Sequence, residues 1–393
     1  MPKSDLYHGV TVTLVETGPR TIALPSSSII GLVDLFEPGA GLAQPNTPVK
    51  LTNKREAAEA FGENSPIFRQ LKTIFDKTAA AVVAVGVTKA KTDAEQMSAV
   101  IGGELAGGGR TGLQALLSAK SELGLHPRLL VAPGHSSKQP VAAALDVLAN
   151  RLRAVAIIDG PNTTDDEAIK YAQLFGSKRL YMVDAGGIKV WDSITSSETL
   201  LPASAAVAGL FAAKDGQRGS GNGGFWCSPS NTEFANVLGT GRAIEYLYGD
   251  ETCRANLLNR ESISTIIREG GFRLWGNRTL SADPKWSFVT RVRTTDMVMD
   301  AILAGHQWAV DRGITKTYVQ DVTEGLNAFM RDLKAEGCVI DFEVYPHPTK
   351  NTVSQLEEGK VRWVIRFTDV PPAENPIFEV EVTNQWLTEV LAA

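Results

Sequence analysis

The sequence predicts an α/β domain on a mostly parallel sheet, joined to a smaller α+β part, with a short strand arm at each end of the chain. Three observations lead there. Between Ala79 and Gly216 short apolar runs alternate with amphipathic ones. After Gly337 the hydrophobic period falls to two. Near both termini lie isolated alternating strands, each set off by a proline-containing segment.

At the N-terminus, "HGVTVTLVE" places Val10, Val12 and Leu14 on one side, and "GPRTIALP" then cuts it off from the body of the chain. In the middle of the chain "AAAVVAVGV" reads as a buried strand and "LQALLSAKSELG" as an amphipathic helix closed by Gly124. "RLLVAPG", "AVAIIDG" and "KRLYMVD" are further strands. Between and after them come the helices "PVAAALDVLANRLR", "TTDDEAIKYAQLFG" and "PASAAVAGLFAAKDG". The second of these helices has an N-cap Thr and acidic residues in its first turn. Strands alternating with helices imply right-handed β-α-β crossovers and hence a parallel sheet.

"GQRGSGNGGFW" (residues 216–226) interrupts this pattern as a loop. The segment "DMVMDAILAGHQWAVD" is apolar on most sides and predicts a buried helix. "DVTEGLNAFMRDLKAEG" comes after it with Val322, Leu326, Phe329, Met330 and Leu333 at helical spacing. Asn327, Arg331 and Lys334 fall together on its outer side, and Gly337 ends it. Two strands come next, "CVIDFEVYP" and "VRWVIRFTDV", the latter with Val361, Trp363, Ile365 and Phe367 on one face. Beyond "PPAENP", where proline withholds its donor, "IFEVEVT" sets Phe378, Val380 and Val382 against Glu379, Glu381 and Thr383. A lone terminal strand is not stable by itself. The pattern leaves open whether these two strands complete the chain's own sheet or a neighbour's.

With 393 residues, 43% hydrophobic and 21% charged, the chain has an ordinary globular composition and room for two domains. A formal charge of −5 argues against a general nucleic-acid binder. Cys227, Cys253 and Cys338 lie far apart without C-x-x-C spacing, so neither a disulfide framework nor a zinc site is expected. The five histidines show no metal-ligand spacing. The start "MPKSDLYHGV" has no signal-peptide core, and no apolar run approaches the roughly 20 residues of a membrane span. The expectation is a soluble protein made in a cytoplasm.

No set of residues converges on a reaction. "GGGRTG" (107–112) and "GSGNGG" (219–224) match G-x-G-x-x-G formally, but neither stands between a strand and a helix as a pyrophosphate site requires. "PGHSSK" departs from G-x-S-x-G, and adjacent His135 and Ser136 make no catalytic pair. Asp159 and Asp184 end strands, a place for acids in α/β enzymes and equally for turn formers. No catalytic residue, cofactor or metal is assigned.

"GFRLWGNRTLS", then "FVTRVRTTDMVMDAILAGHQWAVDRGIT" and "RFTDVPPAENP", resemble the tail sheath proteins of contractile phage tails, in particular the P2-like branch and the R-type pyocins. "YHGVTVTLVETGPRTIALPSSSIIGLVD" and "RLLVAPGHSS" are similar to the same family, so the resemblance runs from Tyr7 to the C-terminus. It implies a structural, non-enzymatic subunit that polymerises helically around a tail tube as stacked hexameric rings. It then contracts from a metastable extended state and drives the tube through a cell envelope. A related secretion or injection system is the near alternative; an α/β enzyme is the remote one.

The implied layout is an N-terminal arm over 1–20, an outer α/β domain over 21–260, an inner tube-proximal α+β domain over 261–372 and a C-terminal arm over 373–393. Val10, Val12, Leu14, Phe378, Val380, Val382 and Trp386 are then the candidates for strand exchange between subunits. Asn327, Arg331 and Lys334 are the candidates to face the tube, and Phe272, Arg273, Trp275 and Arg278 are expected at the domain junction. The implied partners are other copies of the chain, a tube protein, and baseplate and terminator proteins, with no nucleic acid and no membrane insertion. Assembly is expected in the bacterial cytoplasm, with the product part of a virion tail or a bacteriocin particle.

Overall fold

The computed structural model describes residues 22–219 and 221–387. The strand expected around Val10, Val12 and Leu14 lies outside them. The described chain opens with β1 (Ile30–Phe36) and β2 (Pro48–Leu51). Helix α1 (Lys54–Phe61) is capped by the Asn53 side chain, and α2 (Pro66–Phe75) by Ser65 with proline at its first position. Strand β3 (Val82–Thr88) leads to α3 (Asp93–Ile101), whose Thr92 and Glu95 form a reciprocal capping box. A helix, and not a strand, therefore precedes the glycine run at 107–112.

The helix expected at 113–124 is a 3₁₀ run, Gly112–Ser118, continued by the short α4 (Ala119–Leu123) and closed at left-handed Gly124. Next come β4 (Leu129–Val131), α5 (Gln139–Leu152), β5 (Val155–Asp159), α6 (Asp165–Ala172) and β6 (Leu180–Val183). Thr164 caps α6 as anticipated. A hairpin that the sequence did not announce, β7 (Ile188–Asp192) with β8 (Ser197–Leu201), precedes the buried helix α7 (Ser204–Gly216). Strand β9 (Val237–Thr240) joins that hairpin as a third strand.

Helix α8 (Arg254–Arg260) leads to β10 (Ile263–Arg268) and β11 (Phe272–Trp275). Helix α9 (Val289–Gly305) and helix α10 (Lys316–Ala335) come after them. Strand β12 (Val339–Pro346), the short α11 (Val353–Glu357) and β13 (Trp363–Asp369) end the regular structure.

The main sheet has the order β11-β10-β6-β5-β4-β1-β3-β2. Its inner pairs are all parallel, and antiparallel β2 and β11 close the two sides. Alternate residues of one strand enter different cores: Ile30 and Leu32 pack with α2 and α7, while Val33 packs with α5. Neither edge invites addition. Beside β11, residues 231–234 already exchange backbone hydrogen bonds with Phe272 and Leu274. β2 is four residues long and begins with proline.

A separate core joins Phe225, Trp226, Met297, Val298 and Ala301 to the apolar face of α10 and to Cys338 and Val339. The division therefore falls later than the boundary expected at 261. Residues 263–275 are strands of the large sheet, because their apolar "ISTII" run pairs with β6 and not with the C-terminal helices. Ile22 crosses in the other direction, from the start of the described chain into the small core.

Helix α9 links the large and small cores and differs from the buried helix, apolar on most sides, expected of its sequence. Met299 and Leu303 are exposed, while Arg293, Asp296 and Asp300 are buried. Arg128 and Arg179 each stand immediately before a parallel strand, and Arg153 stands two residues before another. Asp300 receives Arg128 Nη2 at 2.6 Å and Arg153 Nε at 2.6 Å. Arg179 grips Asp296 with both terminal nitrogens. Arg293 makes a bidentate pair with Asp215 of α7 at 2.9 and 2.6 Å. Burial leaves such charges tolerable only because each lies within ion-pair distance of an opposite partner.

Candidate assembly surfaces

The strand-end acids are structural. Asp159, fully buried, accepts hydrogen bonds from the Gly134 and Ser204 amides and from the Ser136 and Ser204 hydroxyls. Burial nevertheless pushes its carboxyl above the usual range. Asp184 accepts from the Asn162 amide and pairs with Arg242. These groups staple loops to strand ends. Among the described residues no cluster of His, Cys, Asp or Glu could hold a metal ion.

The small unit carries a different kind of surface. β12 and β13 form a two-stranded antiparallel sheet, and among the described residues both its outer edges are unpaired. Such a pair is marginal alone and is held here by packing on α10. Phe342, Val344, Trp363, Ile365 and Phe367 lie on that side yet stay only half-buried. Trp363 Nε1 donates to Thr323 Oγ1 on α10 at 3.0 Å.

Beyond Asp369 the described chain has no regular structure until a turn near Asn384. Phe378, Val380 and Val382 are 84%, 88% and 93% exposed, and Trp386 is 59% exposed. The alternating segment therefore does not fold back onto its own sheet. A run of apolar side chains left in water marks a surface for association.

The candidates on α10 separate. Asn327 is half-buried and bonds back to the Thr323 carbonyl at 2.9 Å. Lys334 is engaged with Asp341 at 2.8 Å, and Arg331 is exposed. The apolar residues of the helix, Val322, Leu326, Phe329, Met330 and Leu333, are all buried.

The four junction candidates take distinct places. Phe272 packs on the large core, and Trp275 lies 4.8 Å from the Tyr246 ring. Arg273 donates to the Glu269 and Asn231 carbonyls. Gly276 adopts φ +136°, and a Cβ there would sit 2.5 Å from Ser264 Oγ, so the turn after β11 requires glycine. Arg278 reaches instead to the C-terminal segment, where it holds Glu374 at 2.8 and 2.5 Å. No feature of the sequence pairs these two residues, 96 positions apart.

A large parallel sheet whose strand-end acids are tied up in structure, a small unit whose hairpin is open among the described residues, and an exposed alternating apolar segment are the marks of an assembly protein. Comparison with known proteins says which kind. Residues 27–87 match the tail sheath protein Gp18 domain III N-terminal region, residues 108–280 the phage tail sheath central domain, and residues 281–383 the phage tail sheath C-terminal domain. A prophage protein of Pseudomonas aeruginosa (strain UCBPP-PA14), described as a major tail sheath protein, is 64% identical over 98% of this chain and 99% of its own. The tail sheath protein of Escherichia phage P2 is 33% identical over 99% of each.

The chain belongs to the phage tail sheath family and is a structural subunit, not an enzyme. The fold agrees. The helical sheath of the anti-feeding prophage in its contracted state superposes with a TM-score of 0.71 at 18% identity, over 95% of this chain and 98% of that one. The contracted sheath of the extracellular contractile injection system PVC gives 0.68 at 17% identity, over 97% and 99%.

Proposed function

We propose that this chain polymerises helically around a tail tube and contracts to drive that tube through a target envelope. The observation that carries the reading is the alternating segment 377–382, almost wholly exposed, in the same chain as a hairpin whose two edges are unpaired among the described residues. A strand from one subunit, added to an edge of the next one's hairpin, supplies ladder hydrogen bonds and extends the apolar face that packs on α10. Contacts of this head-to-tail kind generate rings and open helices. Several weak strands per subunit make dissociation slow through multivalency. The N-terminal residues Val10, Val12 and Leu14 take the equivalent role at the other arm.

In this reading the small unit lies near the tube and the large α/β unit outside it. Stacked hexameric rings assemble in the extended state, which is held kinetically, and contraction releases the energy of better subunit contacts. Baseplate and terminator proteins bound the polymer, and assembly takes place in the cytoplasm of the producing cell. Arg331 remains the best tube-facing residue of the three on α10, because Lys334 is shared with Asp341 and Asn327 with its own helix. Charge reversal at Arg331 and Lys334 together should weaken attachment of the sheath to its tube; unchanged attachment excludes this face.

Negative-stain electron microscopy of the full-length protein, expressed alone, tests the whole reading. Hollow striated tubes are expected, and they should disappear when residues 1–18 or 374–393 are removed. Tubes that persist after trimming would rule out strand exchange as the link.

A further inference from the structure

In the strand-exchange reading the exposed segment 377–382 meets a hairpin on another subunit, so the point and direction at which it leaves its own body matter. Two arginines fix that point. Arg291, in the first turn of α9, donates Nε to Asp369 Oδ1 at 2.8 Å and Nη1 to the Lys285 carbonyl at 2.8 Å. Asp369 is the last residue of β13. Arg278 holds Glu374 through both nitrogens of its fork and lies 5.6 Å over the Phe288 ring.

Between the two clamped acids stand Val370, Pro371, Pro372 and Ala373, and Pro376 comes two residues after Glu374. Proline fixes its own φ and keeps the residue before it extended. The root of the arm is therefore a stiff strut tied at both ends.

The platform under the clamps is itself rigid. Arg278 and Phe288 form an isolated antiparallel bridge. Around it the Thr279 amide donates to the Ser287 carbonyl at 2.7 Å, and the Val289 amide donates to the Asn277 carbonyl at 3.1 Å. The Leu280 amide reaches the Leu180 carbonyl of β6 at 3.0 Å, so the platform is continuous with the large sheet.

We propose that Arg278 and Arg291 are positioning residues for strand exchange, acting as a two-point clasp that orients the C-terminal arm before it meets a neighbouring copy of the chain. The inference rests on the strand-exchange reading above. A pre-oriented arm loses less freedom on docking than a free one, and the clasp moves part of that loss into the folding of the monomer. The clasp also states a job for the Arg of the "WGNRT" signature: it is a hand on the arm, and the glycine two residues earlier shapes the turn that presents it.

The test uses the full-length chain with Arg278→Glu, Glu374→Arg, the two combined, and separately a chain ending at Pro376. Arm mobility is read from a spin label at position 380, and assembly from the rate of tube formation by light scattering. Each single reversal should free the label and slow assembly roughly fivefold, the scale of one well-oriented partly exposed ion pair. The double swap should restore both. Single variants that assemble at the wild-type rate, or a swap that restores neither readout, overturn the clasp. The chain ending at Pro376 keeps the clasp and lacks the strand. If it alone fails to assemble while the reversals assemble normally, only the clasp is wrong. If it assembles normally, strand exchange itself fails and the clasp falls with it.

Discussion

Arg179 and Asp296 show what a single residue contributes to this molecule. Arg179 is buried and meets Asp296 with both ends of its fork. Arg179→Ala should therefore destabilise the monomeric chain by about 3–5 kcal/mol, because it leaves a buried carboxylate without its partner. Denaturant unfolding checks the figure, and a loss within error of zero would show that the seam is not closed. His126 makes the second residue-scale prediction. Burial, helped by nearby Arg128, pushes its imidazole down to about 4 from 6.5, while its Nε2 donates to the Leu152 carbonyl. As pH falls the unfolded chain takes up this proton first. The contribution of His126 is thus complete above about 6.5 and lost progressively toward 4. His126→Gln, which keeps a donor for that carbonyl, should flatten the fall of Tm across this window. None of these partners was legible in the sequence. By sequence Arg128 and Arg179 fall in strands and Arg153 at the end of a helix, and only the crossing of α9 brings them to Asp296 and Asp300.

At the scale of elements, periodicity carried most of the fold. "AVAIIDG" and "KRLYMVD" are continuous apolar runs because both faces of the parallel sheet are covered, and they became β5 and β6. "IFEVEVT" alternates because it is built for one apolar face, and that face is bare in the single chain. The hairpin β7–β8 was missed since its outward residues, Lys189, Trp191, Glu198 and Leu200, mix polar and apolar types and blur the period. β10 was misplaced for another reason. Its six residues are too few to reveal which core they join, and pairing with β6 settles that in three dimensions. The element-scale prediction concerns the arm. Val380→Asp with Val382→Asp should leave the melting temperature of the monomer unchanged, because both side chains are already in water, and should abolish tube formation. Scanning calorimetry and electron microscopy check the two halves separately. Of the sequence's candidate residues, Phe378, Val380 and Val382 were chosen from alternation, and all three are exposed. Asn327 and Lys334 were chosen from helical position alone, which says nothing of the Thr323 carbonyl or of Asp341.

In the whole molecule, the two cores share one helix. The N-terminal half of α9 sends Val289 and Val292 into the large core, and its second half sends Met297, Val298 and Ala301 into the small one. Arg293 and Asp300 tie the same helix to α7 and to the ends of two strands. Denaturation of the monomeric chain should therefore trace one curve, with tryptophan fluorescence and far-ultraviolet circular dichroism coincident. Two separated transitions would show that α9 does not couple the units. The closed and open edges have a further consequence. The large sheet is sealed by β2 on one side and by residues 231–234 on the other, whereas among the described residues the hairpin is open on both. In the language of polymer chemistry the described part of the monomer has an acceptor valence of two, and its exposed alternating segment 377–382 is one donor. The strand exchange proposed for both arms would bring supply and demand into balance. A lattice built this way leaves dangling strands only at its first and last layers.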